Sequence, residues 1–489
     1  MKFLVYAHVD QDTIGKRLGT ADYSYFFLLR SFAKVLADMG EVVQVRQLDE
    51  MTLAHNESVA QGEHCIAFSF TPPHKTPVDL GFPLIPVFAW EYPDIPEEIQ
   101  EESWLDDPRN DWRYVFHRTG RAIALSTHTQ NAVRKSMGAD YRIAAIPSPL
   151  WQKPLQTARQ PGRPGKIARL SLNASVADSR QMGLSAEGLI YDVDEDGTLF
   201  HPDDHHLIPP VAPRLVRPSA AELVALERDG ARPLDPHEYW TEPCGWEPPP
   251  AYRYRIDPHG VVYTAVLTPE AGRKNWADLI TAFCWAFRDN PDATLILKIA
   301  GSDLKLCHLE LLMWLSKLMP FQCRVISVAG YLTEEDYASL LGATTYYVNT
   351  SLAEGLCLPL VEFLGEGIPA IAPAHTAMAD YISDDFAFVV ASHPGEPTVW
   401  PHGDMEMDRT SFHQLEWKSL FDAFRRSYQV ACTDPETYAA MSRKAHEAMR
   451  DYCGPEIVKR QLQRFLAEDV AMSSGLKACL NQPSLSVAP

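Results

Sequence analysis

The stretch Val348–Pro373, VNTSLAEGLCLPLVEFLGEGIPAIAP, decides the fold. The apolar run Tyr346–Thr350 that leads into it reads as a buried strand. A loop of small residues follows, then an amphipathic helix from about Leu358. A Gly367-Ile368-Pro369 stop and a second apolar strand, Ala370–Ala372, complete the pattern. Strand, helix and strand in that order form a βαβ unit of a parallel sheet. Glu354 and Glu362 lie eight residues apart across the loop–helix junction. That junction falls at the carboxyl edge of the sheet, where open α/β folds bind ligands. The helix start offers unpaired N–H groups and a partial positive charge, which suit a phosphate. Acids beside such an anion site are placed to accept hydrogen bonds from hydroxyls that flank it. A glutamate pair on its own more often marks a helix cap and a solvated face.

The surrounding residues shift that balance. Glu354-Gly355-Leu356-Cys357-Leu358-Pro359-Leu360-Val361-Glu362 resembles the E-x7-E motif, usually written EGFGLPxxE, of retaining glycosyltransferases of the GT-B fold in glycosyltransferase family 4. One residue departs from the pattern: Cys357 stands where Gly is usual. The resemblance implies two facing Rossmann-like domains with a central cleft, and a nucleotide-diphosphate sugar as donor. Glu362 is then expected to accept hydrogen bonds from the ribose hydroxyls and Glu354 to hold hydroxyls of the transferred sugar. The backbone N–H groups of Gly355, Leu356, Cys357 and Leu358 are expected to hold the diphosphate.

Composition bounds the alternatives. A chain of 489 residues forms two or three domains with sizeable cores. A net charge of −20 argues against nucleic-acid binding and against a broadly basic membrane-docking surface, leaving room only for a local basic patch. The nine Cys are scattered without a CxxC pair, so a disulfide or zinc framework is not expected and a reducing cytoplasm fits. No apolar run approaches a membrane span. The start, MKFLVYAHVD, reads as a strand rather than a signal peptide. The expected location is the cytoplasm, with peripheral association at the inner membrane face left open.

Strands and helices alternate over residues 1–150, the signature of a first Rossmann-like domain and the expected acceptor side. Residues 151–255 form a Pro-rich insertion or linker, with 14 of the 38 prolines between 151 and 250. Within it, Asp192-x-Asp194-x-Asp196-Gly197 partly imitates a calcium loop, but a hairpin between Leu189–Val193 and Thr198–Phe200 fits the turn chemistry better. Asp203-Asp204-His205-His206 reads as a polar surface loop in preference to a metal site. Residues 256–415 resume the alternation as the donor domain. Residues 416–472 are helical, with Trp417–Tyr428 and Glu436–Leu466 as the periodic stretches, expected to pack back across the domains. Residues 473–489 form a tail.

Four further segments carry chemistry. Arg273-Lys274 opens a helix after a strand, where cations are disfavoured by the helix dipole and call for an anionic partner. A leaving diphosphate is such a partner. By the resemblance Lys274 binds the donor diphosphate, while Thr268 stands where the family often has an Arg that Arg273 replaces. Gly330-Tyr331 follows another strand, in the turn that lines the family's nucleotide-base pocket. Gly19 and Thr20 lie in the position of the family's Gly-rich loop, although the segment matches neither GxGxxG nor a GxxxxGK[ST] loop. Trp90-Glu91 ends a strand at the cleft, where many members place a His. Glu91 either contacts the sugar or acceptor hydroxyl, or is a structural acid. His74 and His128 read as hydrogen-bonded structural histidines.

The reading is therefore a retaining hexosyltransferase that moves a sugar to a hydroxyl of a glycan or lipid acceptor, in glycan, lipid-linked saccharide or polysaccharide synthesis. No cofactor and no metal are expected, and the oligomeric state is undetermined. The alternative is a non-catalytic GT-B-like scaffold that binds a nucleotide sugar. A retaining glycosidase needs two carboxylates about 5–5.5 Å apart across the scissile bond, which one loop–helix unit supplies poorly. A nicotinamide dehydrogenase needs a GxGxxG fingerprint that neither half carries.

Overall fold

The structure is a computed structural model. It describes residues 1–9, 21–97, 106–151, 155, 159–162, 165–182, 184, 192–193, 199–200, 252–301, 303–395, 398–399 and 409–480. Gly19, Thr20, the Asp203–His206 cluster and most of the Pro-rich stretch lie outside the described residues.

Six strands build the first sheet: β1 (Lys2–Tyr6), β2 (Glu41–Val45), β3 (Cys65–Ser69), β4 (Leu84–Phe88), β5 (Arg121–Ala124) and β6 (Arg142–Ala145). They are parallel and lie in the order β2-β1-β3-β4-β5-β6. Helices α1 (Ala21–Ala37), α2 (Leu48–Ala60), α3 (Trp112–Thr119) and α4 (Thr127–Met137) connect them. The helical periodicity of α1 is a packing face, because Tyr25, Leu28, Leu29, Phe32 and Val35 are all buried. Helix α2 buries only Met51 and Ser58, so the apolar pattern does not announce it.

The Pro-rich stretch departs from the expectation of a linker. Strand β7 (Leu170–Asp178) lies within it. Over Leu170–Ser175 its LSLNAS alternates buried and half-buried residues with the period of a strand, although its Ser and Asn content hides this from a composition count. Asp192–Val193 (β8) and Leu199–Phe200 (β9) pair antiparallel, as the hairpin reading requires. Strand β10 (Tyr252–Ile256) returns antiparallel to β7. A buried ion pair, Arg324 Nη2 to Asp178 Oδ2 at 2.5 Å, ties the end of β7 to the second sheet.

That sheet continues with β11 (Val261–Leu267), β12 (Ala293–Ile299), β13 (Arg324–Ala329), β14 (Tyr346–Val348), β15 (Ala370–Pro373) and β16 (Ala387–Val390). Its order is β10-β7-β13-β12-β11-β14-β15-β16, with the strands from β13 to β16 parallel to one another. All seven residues of β12 are buried, as expected for a strand covered on both faces. Helices α5 (Trp276–Ala286), α6 (Leu304–Leu318), α7 (Glu334–Ala343) and α8 (Leu358–Gly365) supply the crossovers. Two short ribbons, β17 (Ser392–Pro394) with β20 (His413–Leu415) and β18 (Thr398–Val399) with β19 (Arg409–Thr410), follow β16.

Chain order places the site. From β11 the sheet grows one way through β12 and β13, and from β14 the other way through β15 and β16. The loops after β11 and β14 therefore face each other at the carboxyl edge, at a topological switch point. One carries Arg273 and Lys274, the other Glu354.

Three helices close the chain: α9 (Trp417–Thr433), α10 (Pro435–Cys453) and α11 (Pro455–Leu480). The continuous helix expected over Glu436–Leu466 is in fact two. Gly454 caps α10 in an extended conformation and Pro455 opens α11, since a proline suits a first helical turn and not an interior. Val458, Leu462 and Phe465 of α11 join a core cluster that also holds Phe3, Phe32 and Phe68 of the first domain. Arg142 Nη2 donates to the Phe465 carbonyl at 2.7 Å.

Candidate functional site

Glu354 is 3% exposed. Its carboxylate is gripped from three sides. Lys274 Nζ lies 2.5 Å from Oε1, Arg273 Nη1 lies 3.1 Å from Oε2, and Ser351 Oγ donates to Oε1 at 2.6 Å. Burial opposes its ionisation, but Lys274 and Arg273 outweigh burial and hold the group down at about 2. It is a carboxylate throughout the neutral range. Arg273 also reaches the first domain: Nη2 lies 2.7 Å from Glu91 Oε1. Burial pushes the guanidinium down, and Glu91 with Glu354 more than reverses that push.

The loop that presents Glu354 is fixed by its backbone. Leu352 N–H donates to the Arg273 carbonyl at 2.7 Å and Arg273 Nη1 to the Ala353 carbonyl at 3.1 Å. Thr376 Oγ1 accepts from the Glu354 N–H at 3.0 Å. His375, 4% exposed, donates from Nε2 to the Ser351 carbonyl at 2.9 Å, and its Nδ1 lies 2.8 Å from Ser392 Oγ. Burial, with His413 stacked at 4.4 Å, pushes His375 down to about 4, so its neutral Nε2–H tautomer is held. None of Ser351, His375 or Thr376 has a sequence signal beyond its place after an apolar strand.

Cys357 takes φ +66 and ψ +70, the left-handed region, immediately before α8. A glycine adopts this conformation freely, whereas a residue with a side chain adopts it at a cost. The thiol turns inward and accepts from Asn349 Nδ2 at 3.0 Å, while burial pushes it up to about 12. Gly355 is required for a different reason. A Cβ there would stand 2.8 Å from Ala89 Cβ and 2.8 Å from the Trp90 nitrogen, so the loop presses directly on the first domain.

Glu362, half-buried on α8, has the opposite environment to Glu354. Its hydrogen-bond partner is the Tyr337 hydroxyl, which donates at 2.8 Å, and burial pushes the carboxyl up to about 7 against that bond. Tyr331 packs with Val9, Tyr23 and Phe26 of the first domain. Gly330 has φ +113, and open space lies where a side chain would stand. Its N–H donates to the Ile299 carbonyl at 3.3 Å, and its carbonyl accepts from Lys298 Nζ at 2.6 Å. Lys298, buried in β12 and pushed down to about 7 by desolvation, was not a sequence candidate. Thr268 donates its hydroxyl to the Ala300 carbonyl. His128 donates from Nε2 to the Glu91 carbonyl at 2.9 Å and His74 stacks on Trp112, so both have structural partners. Among the described residues no group of His, Cys, Asp and Glu has the arrangement of a metal site, and no helix is long and apolar enough to cross a membrane.

No family model matches the chain, and no curated protein matches its sequence. Solved structures do match. Sucrose-phosphate synthase from Thermosynechococcus elongatus aligns at a TM-score of 0.50 and 12% identity, over 96% of this chain and 99% of that one. WaaG, a glycosyltransferase involved in lipopolysaccharide biosynthesis, aligns at 0.47 and 12%, covering 94% and 98%. Anabaena HepE in complex with UDP and glucose aligns at 0.44 and 12%, covering 96% and 100%.

Two variants test the local physics. Glu362→Gln is expected to raise the thermal midpoint at pH 8 and leave it nearly unchanged at pH 5. A carboxyl raised to about 7 is neutral at pH 5, and its ionisation costs stability progressively from the unfolded value of about 4.3 up through 7, an effect of about 1–3 kcal/mol. Cys357→Val is expected to destabilise by about 2 kcal/mol in urea unfolding, since a β-branched residue tolerates the left-handed region poorly, whereas Cys357→Gly stays within about 1 kcal/mol of the wild type. The chain adopts the two-domain GT-B fold, and the loops after β11 and β14 meet at the switch point of its second sheet.

Proposed function

We propose that the chain is a retaining glycosyltransferase that moves a sugar from a nucleotide-diphosphate sugar to an acceptor hydroxyl. The observation that carries this reading is the meeting of Arg273, Lys274 and Glu354 at the switch point, beside the start of α8. Cleaving the bond between the sugar and the diphosphate leaves two negative charges on the departing group. Arg273, Lys274 and the backbone N–H groups of Gly355 to Leu358 supply positive potential at that point, and preorganised charge of this kind lowers the barrier. Being largely desolvated and already fixed by Glu354, the two cations need little reorganisation as the charge develops. On this reading no divalent cation is called for.

Glu354, anionic and held by Ser351, accepts hydrogen bonds from hydroxyls of the transferred sugar. Glu362, one and more helical turns into α8 beside the Tyr337 hydroxyl, accepts from the ribose hydroxyls, and Tyr331 lies at the base end. The departing phosphate oxygen takes the proton of the acceptor hydroxyl on the same face of the sugar, so configuration is retained without a protein nucleophile. The buried Cys357 thiol is consistent with that. The acceptor, a glycan or a lipid-borne hydroxyl, is met from the first domain.

Donor hydrolysis across a panel of UDP-, GDP- and ADP-sugars, followed by NMR of the product anomer, tests the proposal. Glu362→Ala is expected to weaken donor binding about tenfold or more. Lys274→Ala is expected to lower kcat by about 10²–10³ with a smaller change in KM. Wild-type activity in both variants, or inversion at the anomeric carbon, would overturn it.

A further inference from the structure

We propose that Glu91 is a displaceable counter-ion: it occupies Arg273 while the cleft is shut, and the diphosphate of the donor replaces it. The inference rests on the donor site proposed above. It begins from a charge count. Arg273 and Lys274 carry two positive charges, and Glu354 and Glu91 neutralise both. A diphosphate entering this cluster adds about two negative charges, so the cations can serve it only if one acid withdraws.

The two acids differ in how they are held. Glu354 is 4% exposed at its side chain, takes bonds from Ser351, Lys274 and Arg273, and belongs to the same loop as the helix start. It cannot leave without unfolding that loop. Glu91 is 22% exposed at its side chain, touches Arg273 through one short contact, and belongs to the other domain. A rigid-body separation of the domains removes it and leaves its loop intact. The same separation frees the close approach of Gly355 to Ala89 and Trp90.

Other bonds cross the cleft at independent places. Thr127 N–H donates to Asp380 Oδ2 at 2.8 Å, and its hydroxyl bonds the other oxygen. Arg30 pairs with Glu334. Tyr331 packs on Val9 and Phe26. The cleft is thus closed at several points, but among the described residues only Glu91 closes it by neutralising a residue of the donor site. Glu91 is in this sense a positioning residue, which makes donor entry and domain opening one event.

The experiment uses the full chain, free in solution, and two variants. Glu91→Gln removes the counter-charge. Asp380→Asn loosens a cross-domain bond without touching Arg273. Small-angle scattering reads the opening of the cleft, and calorimetry reads the binding of UDP, GDP and ADP. The expected result is a larger radius of gyration for Glu91→Gln than for the wild type, with at least threefold tighter binding of the preferred nucleoside diphosphate. Asp380→Asn is expected to open the cleft with less than half of that gain in affinity. Unchanged or weaker binding in Glu91→Gln overturns the proposal, and so does an equal gain in Asp380→Asn, which would trace the effect to opening alone. If no nucleoside diphosphate binds any of the three proteins, the donor reading itself has failed. Should Glu91→Gln not fold, Glu91→Asp, which keeps the charge but shortens the reach to Arg273, takes its place with the same expected direction.

Discussion

Everything at the site depends on one charge cluster buried at a topological switch point. Arg273 and Lys274 follow β11 and Glu354 follows β14, and these strands are neighbours in the sheet although some eighty residues separate the two loops in sequence. Buried ions are costly when unpaired, and removing one partner of a buried pair costs about 3–5 kcal/mol. The cations therefore do not simply decorate a helix start: they define where the Glu354 loop has to lie, and the loop in turn fixes the start of α8. The backbone bonds from Leu352 and Arg273 close the same contact from the other side. A site built in this way is rigid before any ligand arrives.

Glu354 and Glu362 illustrate how environment separates like residues. Glu354, beside two cations, is held at about 2, whereas Glu362, beside a phenol and little else, rises to about 7. Paired titratable groups driven apart are a mark of functional sites, though ion-pair networks with a purely structural role produce the same signature. Here the separation agrees with position. The ionised acid lies with the cations at the loop, and the raised one lies farther along α8 among Tyr23, Tyr331 and Tyr337 of the opposite end of the cleft.

Much of this was legible in the sequence because parallel strands are short apolar runs between helices. The Val348–Pro373 stretch folds as the βαβ unit that its periodicity demands. The failures have physical causes. Strand β7 is rich in Ser and Asn, and its alternation is visible only against a sheet that buries one face. Helix α2 lies on the surface with too few buried residues for a periodic signal. At the site, Lys274 and Arg273 were nameable because cations at a helix start violate a local rule and so ask for a partner, and Glu354 because it lies between an apolar strand and a helix start. His375, Ser351 and Lys298 were not, since each acts through a backbone carbonyl or a neighbouring side chain that no spacing encodes.

Cys357 shows where local strain and long-range packing meet. A non-glycine residue in the left-handed region costs about 1–3 kcal/mol and persists only where its surroundings over-determine it. Asn349 supplies one restraint through its side-chain amide on the sulfur, and the same Asn349 accepts from the Ser351 N–H at 2.8 Å. One buried amide thus fixes both the residue that holds Glu354 and the residue that turns the chain into α8. Between that turn and Glu354 lies Gly355, whose lack of a side chain lets the first domain approach to contact distance at Ala89 and Trp90. The left-handed conformation is thus imposed from Asn349 and not by the residue that adopts it.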